Sequence, residues 1–295
     1  MSTATATDAT TQELTFARDG LTFRATVAGP AGGPLVILLH GFPGSRQTWP
    51  DVAQRLSAAG IRTAALEQRG YGPTARPKDV AAYRLPELAA DVVTLAEQLD
   101  ADRCHLVGHD WGGIVGWYLA ATQPSRWSSL TVLSTPHPRA YAAAAVQSDQ
   151  ALRSAYVLAF QLPMLPEALL TVAGGRLLQA SLRSSGLNGL TARQYAGHLA
   201  TPAAMGAALN WYRASFRHPS DLRGIGDVTV PTTYVWSTGD TALGRAAAER
   251  TEAHVRGPYR FVVLDGVSHW IPETRPTRTA ELVAAAVSES RPAGA

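Results

Sequence analysis

Cysteine is nearly absent: Cys104 is the only one in 295 residues. That excludes a disulfide framework and a cysteine-built metal centre, and the apolar neighbours of Cys104 make it a small core residue. Lysine is just as scarce, Lys78 being the single example. The positive charge is carried by scattered arginines and nets only +3, so no basic patch suggests nucleic acid. No apolar run approaches the length of a membrane span. Residues 1–11, rich in Ser, Thr and Ala, lack the apolar centre of a signal peptide. They read as a disordered tail, and the chain as a cytoplasmic protein. What is plentiful is apolar surface: 46% of the residues are hydrophobic, enough for one large domain or for one domain carrying a smaller one.

Two periodicities alternate along the chain. Strands are expected at 13–18 and 21–27, joined by a tight Asp19-Gly20 turn, and at 35–40, 61–66, 103–107 and 130–133. Helices are expected at 49–59, 85–99 and 113–122. From about 136 to 225 the alternation pauses in favour of helix-like sequence rich in Ala, Leu and Arg and broken by prolines and glycines. It resumes with strands at 232–237 and 260–264 and helices at 243–254 and 277–287. This order predicts an α/β core with a mostly parallel sheet flanked by helices, formed by 12–135 and 226–295. Residues 136–225 are then an inserted helical lid, and no internal repeat is visible.

Between the strand at 103–107 and the helix that follows lies Gly108-His109-Asp110-Trp111-Gly112. Strand, tight turn and helix form the setting of a nucleophile elbow, with aspartate where hydrolases usually carry serine. The exchange changes the chemistry. Serine attacking a saturated carbon would leave an inert ether, whereas aspartate leaves an alkyl ester that water can cleave at the carboxyl carbon. An Asp elbow therefore points to C–O or C–halogen bonds at sp3 carbon. The competing reading is structural, since Asp is also a good helix N-cap.

An elbow needs an acid, a base and an oxyanion hole. Asp240, in Thr238-Gly239-Asp240, and His269, in Ser268-His269-Trp270, follow the last two predicted strands. Both would emerge at the carboxyl edge of the sheet, where the elbow also sits. Asp91, Asp227 and Asp265 are rival acids, and Asp265 is too near His269 in sequence for separate loops. The loop His40-Gly41-Phe42-Pro43-Gly44 would supply the Phe42 N–H, and the elbow the Trp111 N–H, as oxyanion donors. His40 reads as a hydrogen-bonder within that loop rather than a base.

The HGFPG loop, the GHDWGG elbow, the TGD loop and the SHWIPE loop together resemble the α/β-hydrolase-fold epoxide hydrolases. The resemblance runs from about residue 14 to 287. It extends to a lid segment in which Tyr156 precedes Phe160-Gln161-Leu162-Pro163, and to Asn210-Trp211-Tyr212-Arg213. It implies the α/β-hydrolase fold, Tyr156 and Tyr212 holding the epoxide oxygen, a cis peptide at Phe42-Pro43, and a small-molecule epoxide as substrate. Asp110, His269 and Asp240 would form the triad, and no metal or organic cofactor is implied. Tyr83, Tyr141, Tyr195, Tyr234 and Tyr259 read as packing residues. The lid residues Phe160, Leu162, Met164, Leu165, Leu169 and Trp211 suggest an apolar pocket, with Phe160, Leu162 and Trp211 singled out for substrate binding. A homodimer is left open. Two other functions fit part of the pattern. A haloalkane or haloacid dehalogenase uses the same triad, and Trp111 suits a halide, but position 42 is Phe rather than a side-chain donor. A non-catalytic receptor on this fold would not be expected to retain Asp110, Asp240 and His269 together. An acyl hydrolase is disfavoured by the aspartate itself.

Overall fold

The structure, a computed structural model, describes residues 11–290. The tail expected at 1–11, Thr11 apart, lies outside the described residues.

A single eight-stranded sheet organises the chain, in the order β1-β2-β4-β3-β5-β6-β7-β8. The strands are β1 (Gln12–Arg18), β2 (Leu21–Ala28), β3 (Leu35–Leu39), β4 (Arg62–Leu66), β5 (Cys104–His109), β6 (Trp127–Leu133), β7 (Thr232–Gly239) and β8 (Tyr259–Ser268). β1 and β2 pair antiparallel, as do β2 and β4, and the remaining pairs are parallel. Strand β3 shows why its sequence is continuously apolar. Leu35, Ile37 and Leu39 belong to one core, while Val36 and Leu38 belong to the other. Successive side chains point to opposite faces, and both faces are covered. Helices α2 (Leu85–Gln98) and α3 (Trp111–Thr122) pack on the first face through Leu88, Val92, Leu95, Val115 and Leu119. On the second, α1 (Pro50–Ala58) contributes Val52 and Leu56 and the C-terminal helix (Pro276–Glu289) contributes Leu282, Val283 and Val287. Each such fully buried side chain contributes about 1.5–3 kcal/mol. Cys104 is buried in the first core, as its neighbours suggest.

After β6 the chain leaves the sheet. It runs through α4 (Pro138–Gln147), α5 (Gln150–Arg153), α6 (Tyr156–Ala159), α7 (Leu165–Ser184), α8 (Gly189–His198), α9 (Pro202–Arg217) and α10 (Pro219–Arg223) before returning as β7. The last helices are α11 (Arg245–Glu249), α12 (Ile271–Thr274) and α13 (Pro276–Glu289). Among the described residues no helix is long and apolar enough to cross a membrane. One predicted helix is not formed as read. The stretch 243–254 is a short α11 followed by a 3-10 turn at Thr251–His254. Asp240 Oδ1 accepts from the N–H groups of Ala242 (2.8 Å) and Leu243 (2.9 Å), and Gln150 from that of Gly244 (2.8 Å), which holds 242–244 as a turn ahead of α11.

Candidate active site

Asp110 lies between the end of β5 and α3 with φ 52° and ψ −121°. This is a strained conformation for a residue with a side chain. A Cβ on Gly41 would collide with the Asp110 side chain, and one on Gly112 with the carbonyl of Leu39, so only glycine lets the HGFPG loop and the elbow close on each other. Asp110 occupies the N-cap position of α3, but its side chain makes no capping bond. Instead Oδ1 accepts the Phe42 backbone N–H at 2.8 Å, and the Trp111 backbone N–H also bonds the carboxylate. The two N–H groups read from sequence as oxyanion donors thus converge on one carboxylate. Phe42-Pro43 is cis, as the resemblance implies.

Oδ2 faces the other way. It lies 3.7 Å from His269 Nε2, while His269 Nδ1 lies 2.7 Å from Asp240 Oδ2. Asp240 is buried, with Oδ1 held by the two N–H groups named above, so its remaining oxygen is committed to the imidazole. The His269 carbonyl accepts from Ser134 Oγ (2.7 Å) and lies 2.9 Å from His109 Nε2. Thr135 Oγ1 donates to the Asp110 carbonyl at 2.9 Å. The rival acids are engaged elsewhere: Asp91 with Arg69 and Arg18, Asp227 with Arg256, and Asp265 with Thr238.

Burial alone would push the His269 imidazole down. Asp240, by charge and by hydrogen bond, then Asp110 and Glu273, outweigh it and raise the imidazole to about 9. Burial raises the Asp110 carboxyl, opposed by the His269 charge and by the Trp111 and Phe42 N–H bonds. With its imidazole raised to about 9, His269 rests as an imidazolium at neutral pH, facing the Asp110 carboxyl.

The family described as alpha/beta hydrolase fold matches residues 34–276. The chain belongs to the α/β-hydrolase-fold family. Within it, the chain is 34% identical to the AB hydrolase superfamily protein YfhM of Bacillus subtilis, covering 90% of this chain and 94% of that one. It is 32% identical to Epoxide hydrolase A of Mycobacterium tuberculosis, over 88% of this chain and 91% of that protein. Among solved structures, Epoxide Hydrolase A from Mycobacterium thermoresistibile superposes with a TM-score of 0.78 at 27% identity, covering 95% of this chain and 98% of that one.

In this α/β-hydrolase a cavity of about 480 Å³ opens beside Asp110, and Tyr156 and Tyr212 both line it. Tyr212 is buried on α9, its hydroxyl bonded by the Trp111 side chain. Tyr156 is 42% exposed overall, yet its hydroxyl end is buried and bonded to Tyr212. Both phenols are pushed above their ordinary ionisation range, by burial first and then by neighbouring groups that include Asp110. They stay protonated donors.

None of the six lid residues expected to form the pocket is in the cavity lining, neither Met164, Leu165 and Leu169 nor the three singled out for substrate binding. Trp211 points away because adjacent helical residues diverge by about 100°: with Tyr212 facing the cavity, Trp211 packs on Tyr71 and donates Nε1–H to the Arg69 carbonyl at 2.8 Å. Leu162 is half exposed, and its carbonyl accepts from Arg213 Nη2 at 2.9 Å. Phe160 packs edge-on against Phe42, Tyr156 and Tyr212, supporting the phenols from behind. The lining instead includes Ile114, Tyr141, Val157, Phe216 and Leu222. Tyr141 is thus a cavity residue rather than mere packing, its hydroxyl donating to Ser154 Oγ at 2.7 Å. Arg213, the last residue of the NWYR segment, donates to the carbonyls of Phe160 and Leu162 and to Glu167. It ties the two tyrosine-bearing segments together. His40 behaves as read: Nε2 accepts the Gln68 N–H at 3.2 Å, so Nδ1–H donates to the Gly41 carbonyl at 3.1 Å. Burial pushes its imidazole down to about 3.

Proposed function

We propose that this protein hydrolyses an epoxide to a vicinal diol through an alkyl ester on Asp110. One observation carries the reading: a carboxylate with Oδ1 held by the Phe42 N–H and Oδ2 towards His269 lines one cavity together with two protonated phenols. Similarity to relatives named epoxide hydrolases supports it. In this reading the helices of 138–223 act as a lid that carries the phenols over the elbow.

Oδ2 of Asp110 attacks an epoxide carbon and the C–O bond opens. Tyr156 and Tyr212 donate to the departing oxygen, which takes its proton from a phenol, and the His269 imidazolium gives its proton to that phenolate and becomes a neutral imidazole. A neutral phenol is suited to this because it donates strongly without being ionised at neutral pH. His269, oriented by Asp240, then deprotonates a water, and the resulting hydroxide adds to the carboxyl carbon. The negative charge that develops on Oδ1 meets the Phe42 N–H already aimed there, and the Trp111 N–H bonds the same carboxylate, so little reorganisation is needed. The bond from the carboxyl carbon to Oδ2 breaks, and the diol leaves with that oxygen and a proton from the imidazolium. The water oxygen stays on Asp110, whose carboxyl proton passes to the imidazole and restores the starting state.

A halide-releasing substrate is less well served. The Trp111 side chain is engaged by Tyr212, and Phe42 offers only its backbone donor.

Oxygen tracing tests the course. With enzyme in excess in 18O-water, a single turnover should give unlabelled diol, with label on the peptide containing Asp110. Full label in the first diol would exclude the ester.

A further inference from the structure

Among the described residues, the cavity lining holds two charged side chains besides Asp110, and both are guanidinium groups: Arg139 on α4 and Arg223 on α10. The course proposed above uses neither. Their place follows from helix geometry. Residues three and four apart share a helix face, and the lining takes Tyr212, Ser215 and Phe216 from α9, then Pro219, Leu222 and Arg223 from α10. This row is buried at Tyr212 and becomes exposed at Phe216, Pro219 and Arg223. Tyr212 therefore marks the inner end of the cavity and Arg223 its mouth. Arg139 comes from α4, which packs against α10, and its side chain is likewise exposed.

These two charges are poorly neutralised within the fold. Arg223 makes no side-chain hydrogen bond or ion pair. The acid on its own helix, Asp221, is held by Arg84 at 2.7 and 3.0 Å. Arg139 reaches one acid, Asp227, at 3.7 Å, and Arg256 holds that carboxylate more closely, at 2.7 Å. Inward from the arginines the wall is apolar, with Val157, Phe216 and Leu222. A cleft whose mouth carries unmatched charge of one sign draws in ligands of the other.

We infer that Arg223 and Arg139 form an anion subsite at the mouth of the cavity, and that the substrate is an epoxide carrying an anionic head, a carboxylate or a phosphate, at the far end of an apolar body. The epoxide in this statement rests on the proposed hydrolysis; the anion subsite does not. The guanidinium fork matches the oxygens of either head. The apolar body then lies along Phe216 and Leu222, and the epoxide reaches the phenols. Charge also sets the direction of entry, because the reverse pose would bring the anionic head against the Asp110 carboxylate.

Two measurements separate the subsite from the reaction. The first needs no turnover: calorimetric binding of saturated straight-chain carboxylates, phosphate monoesters and primary amides of matched length. The wild type should bind an anion about fivefold or more tightly than the amide, the scale of a partly exposed ion pair, and added salt should narrow the gap. Arg223→Gln should remove most of this preference, and Arg223→Gln/Arg139→Gln all of it. Arg223→Glu should turn it in favour of the amide. An exposed, unpaired arginine can be replaced with little effect on folding. The head that shows the larger preference is the one the subsite serves. In the second measurement, kcat/KM for terminal epoxides bearing the same heads should rank as the binding does, with the difference carried by KM. Equal binding of anion and amide by the wild type, or a preference that survives Arg223→Glu, would overturn the inference. Anion binding without turnover of any epoxide would count against the hydrolase reading and leave the subsite standing.

Discussion

Asp110→Asn should reduce epoxide turnover by on the order of 10⁴-fold or more and, in the same protein, lower the titration of His269. The loss of turnover follows from removing the nucleophile while keeping its shape. Asparagine can still accept the Phe42 N–H, which Asp110 Oδ1 accepts at 2.8 Å, so the loop and elbow should remain closed. The change at His269 follows from charge. Its imidazole is raised to about 9 against burial by Asp240, Asp110 and Glu273, and the Asp110 contribution disappears with the amide. An imidazolium that loses an anionic neighbour releases its proton more easily, so the midpoint falls from about 9 towards the ordinary value of about 6.5.

The variant thereby imitates the alkylated state that the proposed course requires. In the free protein His269 is protonated at neutral pH and cannot act as a base. In the proposed course, forming the ester would neutralise Asp110, and the imidazole would give up its proton to become one. Ester cleavage should accordingly be lost as pH falls through the lowered midpoint, with alkylated protein accumulating on the acid side. NMR titration of the variant checks the shift, with intact mass confirming that the amide persists. A His269 midpoint unchanged by Asp110→Asn would contradict this coupling.

The second large effect is expected from the double variant Tyr156→Phe/Tyr212→Phe. Loss of one donor to a developing oxyanion costs about 10²–10³ in rate. Each single variant should therefore slow ester formation by about that factor. The double variant should lose more than either single change but less than their product, because the two hydroxyls bond each other and groups that act as a unit are not additive. The rings of Phe42, Phe160 and Trp111 pack edge-on around Tyr212, and phenylalanine preserves those contacts, so the fold should hold. Rapid-mixing measurement of ester formation separates this from any effect on hydrolysis, which should change little. A double variant that forms ester at the wild-type rate would remove both tyrosines from the mechanism.

Much of this architecture is visible in the chain because its physics is local. The continuous apolar run of β3 is what a strand buried on both faces requires, and the glycines around Asp110 are what a collision-free elbow requires. Asp240 and His269 could be placed because each follows its strand directly. The pocket was less legible. Trp211 and Tyr212 are neighbours in sequence, and which one faces the cavity depends on the rotation of α9, which local pattern leaves free. Tyr141 and Tyr195 carry no motif. Their contacts with Ser154, Thr48 and Glu273 arise only when the 138–223 helices dock on the core. The later start of the helix expected at 243 has the same origin, since Asp240 and Gln150 hold the N–H groups of 242–244 in a turn.

The most direct test of the central claim is to remove the base and look for the ester. His269→Ala, incubated with a panel of epoxides and alkyl halides, should gain the mass of one intact epoxide, and peptide mapping should place it on Asp110. Such an adduct is expected because attack by Asp110 does not need the imidazole, whereas release of the ester does. An adduct formed only from halides, with the halogen lost, would contradict the epoxide reading in favour of a dehalogenase. A protein that stays unmodified by the epoxides it turns over in its wild-type form would contradict the covalent course itself.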